Sequence, residues 1–405
     1  MPGWNITAHK KYGPVVRIGP NHISFTSPEA FQGIYNSRGL FSKSDFYEVG
    51  APIYRDEPLE NLFSIRDVSR HAMLRRNIGG LYTKASVAEF ETKINNCVTL
   101  FMTQLADRTK SGSTNIDMSL WLRLLAFDCL GEINVSKNLG LLESGQDVNG
   151  FIEASDKIFY IVGLSGPILK YTLSEARSRT ESLPPQTDML GSQFRDVTAA
   201  IFINLTAGHD VLAITLRAIW YYLCCNKRVF GKLRDEIQLV SNNFPPSSVA
   251  PFSKISKLPY LNAVIQETLR THPNTGTILE RKAPPGGVTI DGYYIPGGVI
   301  VGVNAWVLHR DGIFGQDPDK FRPERWLEAS EADRTRMNQC LFSFGAGTHT
   351  CIGKNIAMMI ISKVVVEFCR HFDATLASPP PKHEWKIHGS WVTKQTEMDM
   401  IITKL

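Results

Sequence analysis

A lone cysteine at the end of a glycine-rich loop is the residue of this 405-residue sequence whose surroundings most suggest chemistry. The loop reads FSFGAGTHTCIG from Phe342 to Gly353, and Cys351 comes just before an apolar helical pattern. A thiol at a helix start faces free backbone N–H groups and a positive dipole end, which favour a thiolate that can bind a soft metal. Taken alone, a buried structural cysteine is the more common interpretation. The glycines of the loop favour a ligand site, because they would let a flat molecule approach closely.

Two further segments carry charges at informative spacing. Glu267 and Arg270 lie three residues apart in a helical pattern, which places both side chains on one face where they can pair. Many surface helices show such a pair, so it is weak evidence by itself. The segment FRPERW, which contains Arg325 and Trp326, follows later in the chain.

The most apolar run of the chain extends from about Val197 to Cys225 and is long enough to cross a bilayer. It also carries ionisable residues in mid-span, among them His209, Asp210 and Arg217. Charged side chains inside a membrane are costly, so the pattern favours a long buried core helix. We expect this helix to run through the middle of the molecule.

The rest of the chain predicts a mainly α protein with small β-sheets, folded as one domain over residues 1–405. Two short strands divided by Gly19-Pro20 precede a helix that starts near Ser27-Pro28. Helical apolar spacing covers most of residues 67–130, and further helices are expected at about 227–241, 260–271 and 353–371. Strand-like alternation with glycine and proline fills much of 284–310, and residues 166–196 are expected to be irregular.

Composition excludes several classes of protein. The sequence is 43% hydrophobic and 20% charged, which rules out general disorder. A net charge of +5 is mild and spread along the chain, so nucleic acid is not an expected partner. Seven cysteines without a CxxC pair indicate a reducing compartment. The N-terminus has no apolar stretch that would serve as a signal peptide.

Three motifs taken together resemble the cytochrome P-450 superfamily. The cysteine loop is similar to its haem-binding signature, Glu267 and Arg270 match its Glu-x-x-Arg pair, and FRPERW matches its Phe-x-Pro-Glu-Arg segment. Phrases such as HKKYGPVVRIGPNHISF are similar to filamentous-fungal members of the pisatin-demethylase-like group. The resemblance implies a fold in which haem lies between the long central helix and the cysteine loop.

The resemblance also assigns roles to residues of this chain. Cys351 would be the thiolate ligand of the iron, and Arg325 would join Glu267 and Arg270 in a buried structural network. The expected haem contacts are His71, Arg75, Ala207, Gly208, Arg281, Phe344, Gly347, His349 and Gly353. His349 stands where the family usually has arginine, so we expect a weaker anchor for a haem propionate, with a charge that depends on pH near neutrality.

The central helix departs from the family pattern at one position. Ala207, Gly208 and Asp210 match a motif in which the glycine opens a groove for dioxygen and the acid helps to relay protons. Val211 replaces the usual threonine and has no hydrogen-bonding group in its side chain. An atypical proton path through Asp210, His209, water or substrate is one interpretation. A haem protein with poor turnover is the other.

The resemblance implies a monooxygenase that hydroxylates, demethylates or epoxidises an apolar small molecule. Its expected cofactors are haem b, dioxygen, and NADPH through a cytochrome P-450 reductase, and the expected assembly is a monomer. The alternative is an atypical haem-thiolate enzyme of oxidative coupling, rearrangement or peroxide use. The segment that normally forms the lid of the substrate pocket in the family, about residues 131–196 here, looks shorter than in fungal relatives. A full-length product with an N-terminal anchor would lie on the cytosolic face of the endoplasmic reticulum, whereas this chain as given is expected to be soluble and cytoplasmic.

Overall fold

Helices form the greater part of the protein. The computed structural model describes residues 2–37, 39–158, 172–174, 189–241, 244–245, 247–378, 385–388, 391–395 and 398–405. The α-helices are α1 Pro2–Tyr12, α2 Pro28–Ile34, α3 Val68–Gly79, α4 Lys84–Ala88, α5 Glu91–Arg108, α6 Met118–Val135, α7 Leu141–Ser144, α8 Phe151–Ile158, α9 Met189–Cys225, α10 Lys227–Ser241, α11 Phe252–Ile255, α12 Pro259–Thr271, α13 Ala305–Leu308, α14 Glu324–Glu328, α15 Glu331–Cys340 and α16 Lys354–His371.

Short strands form small sheets around these helices. They are β1 Val15–Gly19, β2 His22–Phe25, β3 Ser42–Lys43, β4 Ile53–Tyr54, β5 Glu57–Pro58, β6 Thr114–Asp117, β7 Arg281–Lys282, β8 Val288–Ile290, β9 Tyr293–Ile295, β10 Ile300–Val303, β11 Phe372–Leu376, β12 Ile387–His388, β13 Lys394–Gln395 and β14 Asp399–Lys404. The largest sheet has the order β1-β2-β10-β7-β3, so it joins the N-terminal segment to residues 281–303. The predicted mainly α class with small sheets is confirmed.

The start of the chain contains both predicted strands and a helix that the sequence did not reveal. β1 and β2 pair antiparallel. α2 begins at Pro28 and is capped by Ser27, whose side chain accepts a hydrogen bond from the backbone N–H of Ala30. Pro28 occupies the first turn of α2, where a missing N–H costs nothing. α1 precedes them, and its residues show no apolar periodicity that would have predicted a helix.

The central helix, α9, runs from Met189 to Cys225. It begins earlier than predicted, because Met189–Asp196 continues the helix where an irregular segment was expected. The Val197–Cys225 part is apolar and long enough to span a membrane. Leu205, Leu216 and Trp220 are nevertheless buried in the main hydrophobic cluster of the protein, together with residues of α5, α6 and α16.

Two hydrophobic clusters meet at α12. Leu261 and Val264 belong to the cluster around the central helix, while Ala263 belongs to the cluster beside the largest sheet. α12 also precedes the loop that leads into β7, so it connects the helical part of the protein to the sheet. Residues 159–171 and 175–188 of the lid predicted at about 131–196 lie outside the described residues.

Candidate functional site

The cysteine loop is a tight turn closed by its own backbone. The N–H of Cys351 donates a hydrogen bond of 2.7 Å to the carbonyl of Phe344, which brings both ends of the loop together. Gly345 and Gly347 have φ values of +68° and +60°, which other residues rarely adopt. A Cβ atom on Gly347 would lie 2.4 Å from the carbonyl oxygen of Tyr35. Close packing against the protein's own backbone therefore explains Gly347, where the sequence had suggested room for a flat ligand.

Cys351 lies just before α16 and is exposed. Cys225, at the end of the central helix, is exposed as well. The surrounding protein still removes enough water to raise the pKa of the Cys351 thiol, while the backbone N–H groups of Gly353 and Lys354 and the charge of Arg75 oppose that rise. The helix start thus does not lower the thiol pKa below its ordinary value. A bound metal would deprotonate the thiol directly.

A metal held through Cys351 would need its other ligands from a prosthetic group. Among the described residues, no cluster of three or more His, Cys, Asp or Glu side chains is suited to hold a metal ion. One thiol is, in contrast, the usual protein ligand of a haem iron in haem-thiolate proteins. Gly353 has open space around its Cβ position, so no contact with the protein explains this glycine.

Five basic side chains gather near the cysteine loop: Lys43, His71, Arg75, Arg281 and His349. Burial, followed by repulsion from its cationic neighbours, lowers the pKa of Lys43 to about 7, of His71 to about 4 and of His349 to about 2. His71 Nε2 and His349 Nδ1 lie 3.3 Å apart. In the described part of the chain, the charges that shift these three pKa values are all positive. The cluster is therefore electrostatically suited to receive an anion.

The pKa of His349 changes one expectation. A value of about 2 means that this histidine is neutral over the physiological range as long as no anion is bound beside it. A bound anion would raise this pKa, so the charge of His349 depends on the occupant of the cluster as well as on pH. The two carboxylates of haem would supply such an occupant.

Behind the loop, the structure brings together Glu267, Arg270 and Arg325. Glu267 Oε1 accepts from Arg270 Nη2 at 2.8 Å and from Arg325 Nε at 2.9 Å, and all three side chains are buried. The two guanidinium groups also donate to backbone carbonyls of the 314–320 segment, including Phe314 and Pro318. Every charge of the network is thus paired, as burial requires.

His309 links this network to the cysteine loop and was missed in the sequence. Its Nδ1 lies 3.0 Å from the carbonyl of Arg270, and its Nε2 accepts a 2.8 Å hydrogen bond from the N–H of Phe342. Burial lowers the pKa of His309 to about 3, which agrees with a neutral ring that donates on one side and accepts on the other. Trp326 adds an indole N–H to Glu267 at 2.9 Å.

One face of the central helix is open. Ala207 is exposed, and Ile203 and Val211 are partly exposed, although Leu205 and His209 between them are buried. Positions four residues apart share a helix face, so Ile203, Ala207 and Val211 form one open stripe along the helix. Gly208 has a packing role, because a Cβ there would approach Leu130 Cδ1 to 2.8 Å.

Tyr82 connects the central helix to the segment that follows the cysteine loop. Its hydroxyl exchanges hydrogen bonds of 3.0 and 2.8 Å with the side chain of Asn204 on the central helix. Its carbonyl accepts from Asn355 in the first turn of α16, just after Cys351. Burial raises the pKa of Tyr82, and Cys351 adds to that rise. A single thiol, an open helix face and a cationic rim are the features that a haem requires.

Asp210 is buried, although it follows the exposed Ala207 by only three residues on the central helix. Its Oδ2 lies 2.8 Å from Lys394 Nζ, and its Oδ1 lies 3.2 Å from His209 Nε2 and 3.5 Å from an Arg123 nitrogen. Burial alone would raise the pKa of Asp210, but His209, Lys394 and Arg123 lower it well below its ordinary value. Ser155 Oγ, on α8, donates to Asp210 at 3.0 Å. The carboxylate is thus ionised and held by three elements.

Comparison with known proteins agrees with this geometry. The family model described as Cytochrome P450 matches residues 5–183 and 186–400. The Cytochrome P450 monooxygenase gsfF of Penicillium aethiopicum is 33% identical over 98% of this chain and 87% of its own length. Pisatin demethylase of Fusarium vanettenii is 31% identical over 97% of this chain and 82% of its own.

A third relative is longer. The Cytochrome P450 monooxygenase mpaDE of Penicillium roqueforti is 32% identical over 98% of this chain, which spans about half, 51%, of that protein's length. The resemblance to fungal members and to pisatin demethylase is confirmed. The chain belongs to the cytochrome P450 family.

Proposed function

We propose that the protein is a haem-thiolate monooxygenase that hydroxylates, demethylates or epoxidises an apolar small molecule in fungal secondary metabolism. The observation that carries this proposal is the exposure of one cysteine, Cys351, together with the open face of the central helix and the cluster of basic side chains, between which a cleft would hold haem. Named monooxygenases among fungal relatives support the reaction class. Haem would supply the activation of dioxygen, as in other members of the family.

Different residues of this chain would hold different parts of the haem. Cys351 would bind the iron through its sulfur, and the loop from Phe344 to Gly353 would fix that sulfur in place. Arg75, Arg281, Lys43 and the pair His71 and His349 would bind the propionates, whose negative charge would favour the protonated forms of the lysine and the histidines. Ala207 and Val211 would border the cleft on the side of the central helix.

Asp210 would take part in proton delivery. Its carboxylate accepts from Lys394 Nζ, which also lies 2.7 Å from Asp156 Oδ1. The side chain of Asp156 is 46% exposed, so this chain of contacts leads from solvent to the buried acid. Because Asp210 is ionised, it would pass on a proton received from its partners rather than store one.

An alternative chemistry has one specific observation in its favour. Val211 brings no hydrogen-bonding side chain to the position where the family usually has threonine. Oxidative coupling, rearrangement or peroxide use would depend less on a threonine, and a haem protein with impaired turnover would not depend on it at all. NADPH consumption that yields product with reductase and dioxygen supports the monooxygenase, whereas consumption without product supports the alternatives.

The proposed function also implies an electron donor and a location in the cell. NADPH would reduce the protein through a cytochrome P450 reductase, and the protein would act at the cytosolic face of the endoplasmic reticulum membrane. The test is to express the chain with haem, screen apolar metabolites for a spectral shift on binding, and incubate the binders with reductase and NADPH. Oxygenated product supports the proposal, and binders that never yield product contradict it.

A further inference from the structure

The carbonyl group of Val211 carries two side-chain hydrogen bonds. Thr215 Oγ1, one turn later, donates to it at 2.8 Å, and Asn274 Nδ2 donates to it at 3.1 Å. Asn274 Nδ2 also lies 3.0 Å from Thr215 Oγ1, to which it donates its second N–H. A hydroxyl and an amide are thus fixed at the turn of the central helix where the side chain of residue 211 has no polar group.

Thr393, in the C-terminal part of the chain, fixes the backbone of Asn274. The N–H and the hydroxyl of Thr393 both donate to its carbonyl, at 2.9 and 3.0 Å. The same hydroxyl lies 2.8 Å from the carbonyl of Pro273, and Thr393 is fully buried. These contacts fix the backbone from which the amide reaches the central helix.

Asn274 Oδ1 can accept a further hydrogen bond. The Thr215 hydroxyl donates to Val211, and both amide N–H groups of Asn274 are used. In the part of the chain that the structure describes, Asn274 Oδ1 has only a 3.4 Å contact with Thr215 Oγ1. Asn274 is partly exposed, and Val211 lies on the open face of the central helix. An amide oxygen with a free lone pair can bind a water molecule in the cleft.

We infer that Asn274 is a positioning residue that, together with Thr215, holds water at the turn of Val211 in place of the missing threonine hydroxyl. The inference rests on the proposed monooxygenase function and deepens it, because ordered water at this turn would connect the cleft to the proton path. Asn274 acts through that water and through the carbonyl of Val211.

The central helix offers a matched control. Thr206 Oγ1 donates to the carbonyl of Phe202 at 2.8 Å, the same back-bond that Thr215 makes to Val211. Among the described residues, the Thr206 hydroxyl contacts only carbonyls of its own helix. Thr206→Val and Thr215→Val therefore make the same change of side chain in one helix, but only the second removes a partner of Asn274.

The experiment compares haem-loaded Asn274→Ala, Thr215→Val and Thr206→Val in the full chain. The first measurement is the resting absorption spectrum without substrate, which reports whether water stays on the haem iron. The second is the hydrogen peroxide released per NADPH with reductase, which requires no product. We expect Asn274→Ala and Thr215→Val to raise peroxide release about fivefold, the ratio that one hydrogen bond of ~1 kcal/mol represents. Both should also shift the spectrum, and Thr206→Val should do neither.

A rescue separates positioning from general damage. Val211→Thr should restore most of the coupling in the Asn274→Ala background and change the unmodified chain much less. Equal behaviour of the Thr215 and Thr206 variants, or failure of the rescue, overturns the inference. If Asn274→Ala does not load haem, Thr215→Val with the same rescue decides the question. A protein that forms no product from any binder but keeps the spectral and peroxide differences contradicts the proposed function and leaves the positioning role standing.

Discussion

Lys394 Nζ lies 2.8 Å from Asp210 Oδ2 and 2.7 Å from Asp156 Oδ1, so one lysine of β13 ties the central helix to α8. Arg123 on α6 contacts the same two carboxylates, at 3.5 and 2.8 Å. Two cations and two carboxylates thus join four elements: α6, α8, the central helix and β13. Asp210, to which the sequence assigns proton transfer, therefore also helps to hold these elements together.

Lys394→Met should destabilise the protein at neutral pH by about 1–3 kcal/mol, because a buried charged acceptor loses a donor. The lowered pKa of Asp210 stabilises the folded state above pH 3.8, its unfolded value, and this contribution disappears as pH falls through the lower folded pKa. The difference between variant and unmodified protein should therefore shrink in acid. Urea unfolding at several pH values measures it. Lys386→Met, which changes an exposed lysine near β12, should have no such effect, and a difference independent of pH would contradict the assignment.

Cys351→Ala should abolish the absorption band of reduced, carbon monoxide-bound haem-thiolate, because an alanine side chain has no atom that can bind iron. Cys225→Ala is the control, since Cys225 is also exposed but lies at the far end of the central helix. That variant should keep the band at full intensity. A thiolate band that survives Cys351→Ala would show that another residue is the ligand.

Glu267→Gln should prevent stable haem incorporation, because Arg270 and Arg325 would keep their charges in a buried site without a carboxylate. The expected loss is ~3–5 kcal/mol in the free energy of unfolding. The ratio of haem to protein and the melting temperature are the measurements. Asp333→Asn removes an ion pair with Arg336 at an exposed position and should leave both unchanged. A fully loaded Glu267 variant with the original melting temperature would refute the structural role.

The sequence predicted best the features that depend on local chemistry. Cys351, its glycine loop and the spacing of Glu267 and Arg270 can be read from a few neighbouring residues. His309 and Asn274 were missed because each acts on a residue far away in the chain: His309 contacts Phe342, and Asn274 contacts Val211. Such pairs exist only once the chain has folded.

Packing roles were also invisible in the sequence. Gly347 and Gly208 match motif positions, but the atoms that a Cβ would approach there belong to the backbone of Tyr35 and the side chain of Leu130. The helix start at Met189 was missed because polar residues such as Gln193 and Asp196 interrupt the apolar pattern there. Helix propensity differs little among such residues, so tertiary structure decides where the helix begins.

The cationic cluster should take up protons when haem binds. Burial and the charges of Arg281 and Arg75 lower the pKa of Lys43 from 10.5 to about 7, so at about pH 8 this amine is mostly neutral before an anion arrives. A propionate beside it would favour the ammonium form and raise the pKa again, which draws a proton from solution. The Cys351 thiol releases a proton in the same reaction, so the useful quantity is a difference between proteins. Titration calorimetry of haem binding in two buffers of different ionisation enthalpy should show up to about one proton more taken up by the unmodified chain than by Lys43→Met. Lys11→Met, at an exposed lysine of α1, should match the unmodified chain, and equal proton counts for all three proteins would place the propionates elsewhere.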